Sequence, residues 1–177
     1  ELPAADALVH PALPGFDYPF HGLCGAGVAL KLAWALCQRA CGNQKVDEPM
    51  RQFLMMAVGL AAIGTVCDVV PLVDENRIIV RHGLVSLKSN PCAGVEALLK
   101  STKRDQTPQL TAEDIGFSIG PRLNAAGRLG QAQLGVELLT SEDNQRVSAL
   151  ADYVEQLNKS RDSLDRSTYL AANKQIK

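Results

Sequence analysis

The stretch FLMMAVGLAAIGTVC, residues 53–67, holds no charged side chain in fifteen positions and is followed directly by Asp68. It is shorter than the roughly 20 apolar residues that a membrane-spanning helix needs. Because it is apolar on every side, it is typical of a helix that is buried in a protein core. The sequence therefore predicts a fold built around one buried helix, and it does not predict a membrane protein.

The sequence on both sides of this stretch predicts further helices and little strand. The apolar spacing and the helix-capping residues indicate helices over about 22–41, 74–89, 95–99, 111–120 and 131–139, with Pro121 beginning another helix after a stop near Gly120. A last helix is expected from Thr140 or Ser141 almost to the end of the chain, with Glu142 and Asp143 in its first turn. Only residues 7–10 have the composition of a strand.

The composition is that of a globular protein with no overall basic character. The chain of 177 residues carries 18 basic and 19 acidic side chains, so nucleic-acid binding would have to use a local patch. Its five cysteines include no CxxC pair, which argues against a disulfide framework or a zinc ribbon and favours a reducing, cytoplasmic setting. The first residue is Glu1 and no signal peptide follows it, so we expect a piece of a longer protein.

Asp68 is the sharpest indication of chemistry. It lies between Cys67 and Val69, so partial burial is expected, and burying an unpaired carboxylate costs several kcal/mol. It also follows a helix, whose C-terminal dipole repels a negative charge. Such a group needs a metal ion or an arginine as its partner. The alternative is an exposed aspartate that caps the next turn.

Two glycine-rich stretches are candidate sites for a phosphate group. In GPRLNAAGRLG, residues 120–130, the small residues allow close approach, and Arg122, Asn124 and Arg128 supply polar groups. The alternative is a tight helix crossing with exposed arginines. In GLCGAG, residues 22–27, the backbone N–H groups of Gly25, Ala26 and Gly27 form a possible anion site at a helix start, and the alternative is a flexible turn.

Together these blocks resemble one known family. YPF at 18–20, GLCGAGVA at 22–29, GTVCDVVPL at 64–72 and GPRLNAAGRLG at 120–130 are similar, in this order and spacing, to the bacterial RecJ exonucleases of the DHH phosphoesterase superfamily. The resemblance extends over nearly the whole chain. It implies a mainly α-helical fragment of an α/β DHH phosphoesterase domain, with residues 1–140 forming the C-terminal part of that domain and residues 141–177 a long connector helix towards a second core domain.

The resemblance also implies an activity. Family members digest single-stranded DNA from 5′ to 3′ in recombination and repair and use two divalent ions, Mn²⁺ or Mg²⁺. Asp68 matches the family's last metal-binding aspartate and is therefore the expected catalytic and metal residue. Arg122 matches the arginine that contacts phosphate, and Asn124 and Arg128 belong to the same DNA-binding block. The expected partners are single-stranded DNA and other repair proteins.

The sequence departs from the family pattern because it contains no Asp-His-His motif and none of the earlier aspartate motifs. Asp68 alone cannot hold two metal ions, so we expect this fragment to be inactive by itself and to self-associate through an exposed apolar face. Two alternatives remain open. One is a catalytically silent scaffold in replication or repair, and the other is a DHH phosphodiesterase for short RNA or cyclic dinucleotides.

Overall fold

The structure of the chain is a computed structural model that describes residues 2–42, 44–128 and 130–176, without the side chains of Arg128 and residues 174–176. All regular structure among these residues is helical. The elements are α1 (Gly25–Ala40), α2 (Glu48–Cys67), α3 (Asp74–Ser89), α4 (Ala93–Ser101), α5 (Ala112–Asp114), a π-helical turn (Ile115–Ile119), α6 (Gly120–Arg128), α7 (Ala132–Thr140) and α8 (Asn144–Ile176). The expectation of a mainly helical chain is confirmed.

The chain divides into two compact units. The first comprises the chain up to Asn90 together with Gln109–Ala112, and the second comprises Pro91–Pro108 and the chain from Glu113 onwards. The division by family motifs into residues 1–140 and 141–177 concerns a longer protein and stays a prediction.

In the first unit, α2 packs closely against both α1 and α3. Glycines make this possible. A Cβ atom on Gly64 would lie 2.4 Å from the Cβ of Ala26 in α1, and one on Gly83 of α3 would lie 2.2 Å from the Cβ of Ala62. Since real Cβ atoms do not approach other atoms so closely, these positions need glycine for the three helices to pack.

The expectation that the stretch 53–67 is buried on every side is wrong for its first half. Buried residues of α2 begin at Gly59, whereas the side chains of Phe53 and Met55 are 48% and 36% exposed. The helix also begins earlier, at Glu48, because Asp47 caps it by accepting a hydrogen bond from the N–H of Met50 at 2.9 Å. Among the described residues, one helix, α2, has the length and the apolar composition needed to cross a membrane. Helices buried in a protein core can have the same length and composition.

The strand expected at residues 7–10 is not present; these residues are irregular. A strand needs a neighbouring strand to pair its N–H and C=O groups, and the described residues provide none. Leu8 and Val9 instead line an apolar cavity of about 230 Å³ together with Leu23 and Val28 of the α1 region. The apolar pattern is real, but it contributes to a cavity wall and not to a sheet.

A partly buried cluster of polar side chains, Tyr18, Lys31 and Glu75, connects the N-terminal segment to α1 and α3. Glu75 accepts hydrogen bonds from the Tyr18 hydroxyl at 2.7 Å and from Lys31 Nζ at 2.6 Å, and Lys31 lies 5.5 Å from the centre of the Tyr18 ring. Burial tends to raise the pKa of Glu75, but the hydrogen bonds from Lys31 and Tyr18 outweigh it, so this pKa is lowered from its ordinary value of 4.5. The cluster therefore stabilises the charged form of Glu75 in the folded unit.

We expect Glu75→Gln to remove a pH-dependent part of the stability of the chain. Because the folded-state pKa of Glu75 is lowered, its contribution is present above about pH 4.5 and is lost as the pH falls through the folded pKa. The free energies of unfolding of wild type and Glu75→Gln should differ at pH 6 and converge towards pH 3. Urea titrations at several pH values measure this difference. Tyr18→Phe, which removes one of the two donors, should give a smaller difference, and a difference independent of pH would contradict the expectation.

In the second unit, α8 packs against α4, α6 and α7. Leu98 of α4, Leu138 of α7 and Val154 of α8 are fully buried. The contact between α4 and α7 is very close at Gly94, where a Cβ atom would lie 1.9 Å from the carbonyl oxygen of Leu138. These helices form the core against which α6 packs.

The expected helix stop near Gly120 does not occur. A π-helical turn over Ile115–Ile119 leads directly into α6, and the N–H of Gly120 donates to the carbonyl of Ile115, five residues earlier. A π turn changes the hydrogen-bond register, which lets the helix continue into Pro121, a residue with no N–H to donate. The chain after α6 has the form of a glycine-dependent helix ending: Gly130 has a φ of +72°, and the N–H of Gln131 donates to the carbonyl of Ala126 at 2.9 Å.

The last helix begins later than expected. Asp143 is not in its first turn but is the cap, because its carboxylate accepts hydrogen bonds from the N–H groups of Gln145 at 2.9 Å and Arg146 at 3.2 Å. Val147, Leu150 and Val154, spaced three and four residues apart on one face of α8, are buried. Beyond Asn158 the described side chains of α8 are no longer buried, so only the first half of the helix belongs to the core of the unit.

Candidate functional site

Asp68 lies at the C-terminal end of α2, immediately after Cys67. Its N–H donates to the carbonyl of Gly64 at 2.9 Å, but its side chain is exposed and has no hydrogen bond or ion pair to the described residues. The expected partial burial is therefore wrong, because the apolar neighbour Val69 is itself 86% exposed and does not cover the carboxylate. The electrostatic argument holds, since the carboxylate stands at the negative end of α2 and forms no ion pair with a described side chain. A carboxylate in that position is a favourable ligand for an added cation.

The backbone next to Asp68 is strained. Val69 has a φ of +60°, a region that β-branched residues rarely adopt, and its side chain is 86% exposed. Such a conformation costs of order 1–3 kcal/mol and persists only when its surroundings hold it. The strain at Val69 thus marks the segment after Asp68 as one whose shape is imposed by other contacts.

Asn76 of α3 contacts this segment at Pro71. Its side-chain amide, 0% exposed, donates to the carbonyl of Pro71 at 3.0 Å and to the carbonyl of Gly22 at 2.8 Å. Asn76 therefore joins the segment after Asp68 to the start of the GLCGAG block. Sequence patterns do not single out Asn76, because an asparagine in the first turn of a helix is ordinary. Its Oδ1 atom is buried and has no partner among the described residues.

The last three residues of the GLCGAG block, Gly25–Gly27, lie in the first turn of α1. Cys24 precedes the helix in an extended conformation, and no side chain caps the first turn. The N–H groups of Gly25, Ala26 and Gly27 are thus among those without a partner inside the helix. An anion site at these three residues stays a prediction. The block also packs against α2, since Ala26 lies directly against Gly64.

Arg122 of α6 is largely buried and makes two polar contacts. Its Nε donates to Glu155 Oε2 of α8 at 2.5 Å, and its Nη1 donates to the carbonyl oxygen of Ser118 in the π turn at 2.7 Å. The side chains of Arg122 and Glu155 are 15% and 18% exposed. The alternative interpretation, an exposed arginine at a helix crossing, is therefore wrong for Arg122. Arg122 is held firmly within the second unit.

The other two polar residues of the block are less well defined. Asn124 is exposed on α6, as a residue that meets a ligand can be. The side chain of Arg128 lies outside the described residues, so its predicted contact with DNA stays a prediction. Asn158 of α8, three residues after Glu155, is 7% exposed and donates to Asp162 at 3.4 Å.

The predicted site residues fall into both units. Asp68 and the GLCGAG block belong to the first unit, where Asn76 joins them, and Arg122 and Asn124 belong to the second. Within the described residues no three His, Cys, Asp or Glu side chains are close enough to hold a metal ion. A carboxylate is a proper ligand for Mn²⁺ or Mg²⁺, but Asp68 alone does not make a site for two such ions.

The chain is similar to one group of known proteins. No family model matches the chain. Among curated proteins, the single-stranded-DNA-specific exonucleases RecJ of Dickeya dadantii, Bacillus subtilis and Escherichia coli are 41%, 43% and 37% identical to it over 97%, 93% and 97% of the chain. The chain covers only 30%, 19% and 30% of the length of these three proteins.

Solved structures agree with the sequence comparison. RecJ in complex with Mn²⁺ from Thermus thermophilus matches 90% of the chain with a TM-score of 0.75 and 34% identity, although the chain covers 22% of it. A structure of exonuclease RecJ bound to manganese matches 95% of the chain with a TM-score of 0.78 and 33% identity, of which the chain covers 40%. The proteins that these comparisons find are nucleases specific for single-stranded DNA. The chain is similar in sequence and in fold to one segment of these RecJ proteins.

Proposed function

We propose that the chain is part of a metal-dependent exonuclease that digests single-stranded DNA from 5′ to 3′ in recombination and repair in the cytoplasm. The observation that carries this proposal is the identity of 34–43% to six RecJ proteins over 93–98% of the chain. The chain spans less than a third of each of these proteins, so the activity is proposed for a longer protein that contains it.

Within that protein, Asp68 is the residue of this chain that would hold Mn²⁺ or Mg²⁺. Its free carboxylate, its exposure and the negative end of α2 support this role. The solved relatives are described in complex with Mn²⁺ and Mg²⁺, which supports the choice of ion. Arg122, with Asn124 and Arg128 in the same block, would bind the phosphate groups of the DNA, because a guanidinium group matches phosphate oxygens in shape and charge.

The proposal is tested with single-stranded oligonucleotides labelled at the 5′ or the 3′ end and incubated with Mn²⁺. The full-length protein should release the 5′ label as mononucleotide from the start of the reaction and leave double-stranded DNA largely intact. The 177-residue chain alone should be inactive under the same conditions, because Asp68 alone cannot hold two metal ions. An inactive full-length protein would favour a scaffold role. Cleavage of short RNA or cyclic dinucleotides in preference to DNA would favour a DHH phosphodiesterase that acts on those substrates.

A further inference from the structure

Glu155 of α8 interacts with two cationic side chains at once. Its Oε2 atom accepts the hydrogen bond from Arg122 Nε, and its Oε1 atom lies 3.4 Å from Lys159 Nζ, one helical turn further along α8. The Lys159 side chain is 72% exposed, whereas Glu155 is 18% exposed. The Glu155 carboxylate thus pairs with both the largely buried Arg122 and the exposed Lys159.

The contacts of Arg122 fix its orientation and leave part of it unused. A guanidinium group has five N–H donors in one plane. Glu155 takes the donor on Nε and the carbonyl of Ser118 takes one on Nη1, so three donors have no acceptor among the described residues. Because the group is rigid and planar, fixing two of its donors fixes the directions of the other three.

The cluster has a surplus of positive charge. Arg122 and Lys159 carry one positive charge each, and Glu155 carries one negative charge. The three side chains together therefore have a net charge of about +1. A single phosphodiester group carries one negative charge and accepts hydrogen bonds through its oxygens. The three unused donors of Arg122 and the ammonium group of Lys159 match such a group in charge and in hydrogen-bonding character.

We propose that Glu155 is a positioning residue for phosphate recognition by the second unit: it holds Arg122 so that the unused donors meet a phosphodiester of the DNA, with Lys159 beside it. This inference rests on the proposed function. It adds α8 to the binding block that the sequence places in α6 alone. A carboxylate beside a phosphate-binding arginine would otherwise be unfavourable, because it repels the phosphate, and its benefit is the fixed geometry of the guanidinium group.

The competing explanation is that the pair Arg122–Glu155 only fastens α6 to α8. Glu155→Gln and Glu155→Met separate the two explanations in the full-length protein. Both side chains are uncharged and similar in size to glutamate, but only the glutamine oxygen can still accept the N–H of Arg122 Nε. Positioning therefore predicts that Gln preserves function and Met does not. Thermal unfolding of each variant reports the structural effect separately.

For Glu155→Met we expect the KM for single-stranded DNA to rise about tenfold with kcat within about twofold, because a hydrogen bond to a charged group is worth roughly one decade in affinity or more. Glu155→Gln should stay within about twofold of wild type in KM. Glu137→Gln is the matched control, since Glu137 pairs with Arg146 at the start of α8 in the same unit but lies outside the binding block. Its KM should not change.

A double-mutant cycle with Arg122→Ala makes the inference falsifiable. Arg122→Ala should raise KM about tenfold or more, and adding Glu155→Met to it should raise KM no further, because Glu155 acts through Arg122. Multiplicative effects of the two substitutions, or an equal KM for Glu155→Met and Glu155→Gln, would overturn the inference while leaving the exonuclease proposal intact. A wild-type protein without nuclease activity would instead overturn the proposed function itself.

Discussion

Asp68→Ala is expected to reduce the nuclease activity of the full-length protein by at least about a thousandfold without unfolding it. A metal ion contributes several kcal/mol to the stabilisation of a transition state, and each 1.4 kcal/mol corresponds to about a factor of ten in rate. The side chain of Asp68 is exposed and has no partner among the described residues, so its removal breaks no contact within them. It also removes a negative charge from the C-terminal end of α2, which is worth roughly 0.3–1 kcal/mol in favour of folding.

The diagnostic result is therefore a variant that is inactive and at least as stable as wild type. Activity is measured as kcat/KM on a 5′-labelled single strand with Mn²⁺, and stability as the midpoint of thermal unfolding. Asp152→Ala is the matched control, because Asp152 is an exposed carboxylate in α8 outside the proposed site, and it should retain full activity. Substantial activity of Asp68→Ala would show that Asp68 is not a metal ligand.

Asn76→Ala should lower the free energy of unfolding of the 177-residue chain by about 2–4 kcal/mol, because it leaves the carbonyl groups of Gly22 and Pro71 without their donor. The loss is large since the amide of Asn76 is fully buried and water does not readily replace it. The variant also releases the segment after Asp68, whose strained backbone at Val69 needs contacts that hold it. Full-length protein with this substitution should therefore also lose activity below its unfolding temperature.

Asn90→Ala provides the matched control at the other end of α3. Asn90 likewise donates one side-chain hydrogen bond to a backbone carbonyl, that of Gln52 at 3.0 Å, but this bond is exposed to solvent. Its loss should cost no more than about 1 kcal/mol. Urea unfolding of both variants gives the two free energies. Equal losses for Asn76→Ala and Asn90→Ala would contradict the role given to Asn76.

The sequence predicted the helices well where local physics decides them. Apolar spacing, caps and prolines gave α1, α3, α4 and α7 nearly as they are observed. Two errors have tertiary causes. Residues 7–10 have the composition of a strand but no strand partner among the described residues, and the π turn before Pro121 lets a helix continue where the proline predicted an end. Strand pairing and changes of hydrogen-bond register depend on the surroundings, which composition does not contain.

The residues of the candidate site likewise divide into those with a local signal in the sequence and those without one. Asp68 and Arg122 were accessible to sequence analysis because each stands in a distinctive block and carries a charge whose surroundings need an explanation. Asn76 and Glu155 were not, because their importance lies in contacts with residues 54 and 33 positions away along the chain. Polar residues on ordinary helices give no local signal of such contacts. The exposure of Asp68 was misjudged for the same reason, since its apolar neighbours in sequence do not cover it in the folded unit.

The π turn of residues 115–119 also constrains how this part of the chain can vary in evolution. Each residue advances an α-helix by about 100° around its axis, but a π turn takes up one additional residue within a single wide turn, so the helix on either side keeps its orientation. Losing one residue here would therefore leave an ordinary α-helical turn, with Ala125 and Ala126 still buried and Arg122 still beside Glu155. A single-residue deletion in this turn is thus compatible with the fold, whereas exchanging the fully buried Ile115 or Ile119 for a polar residue is not.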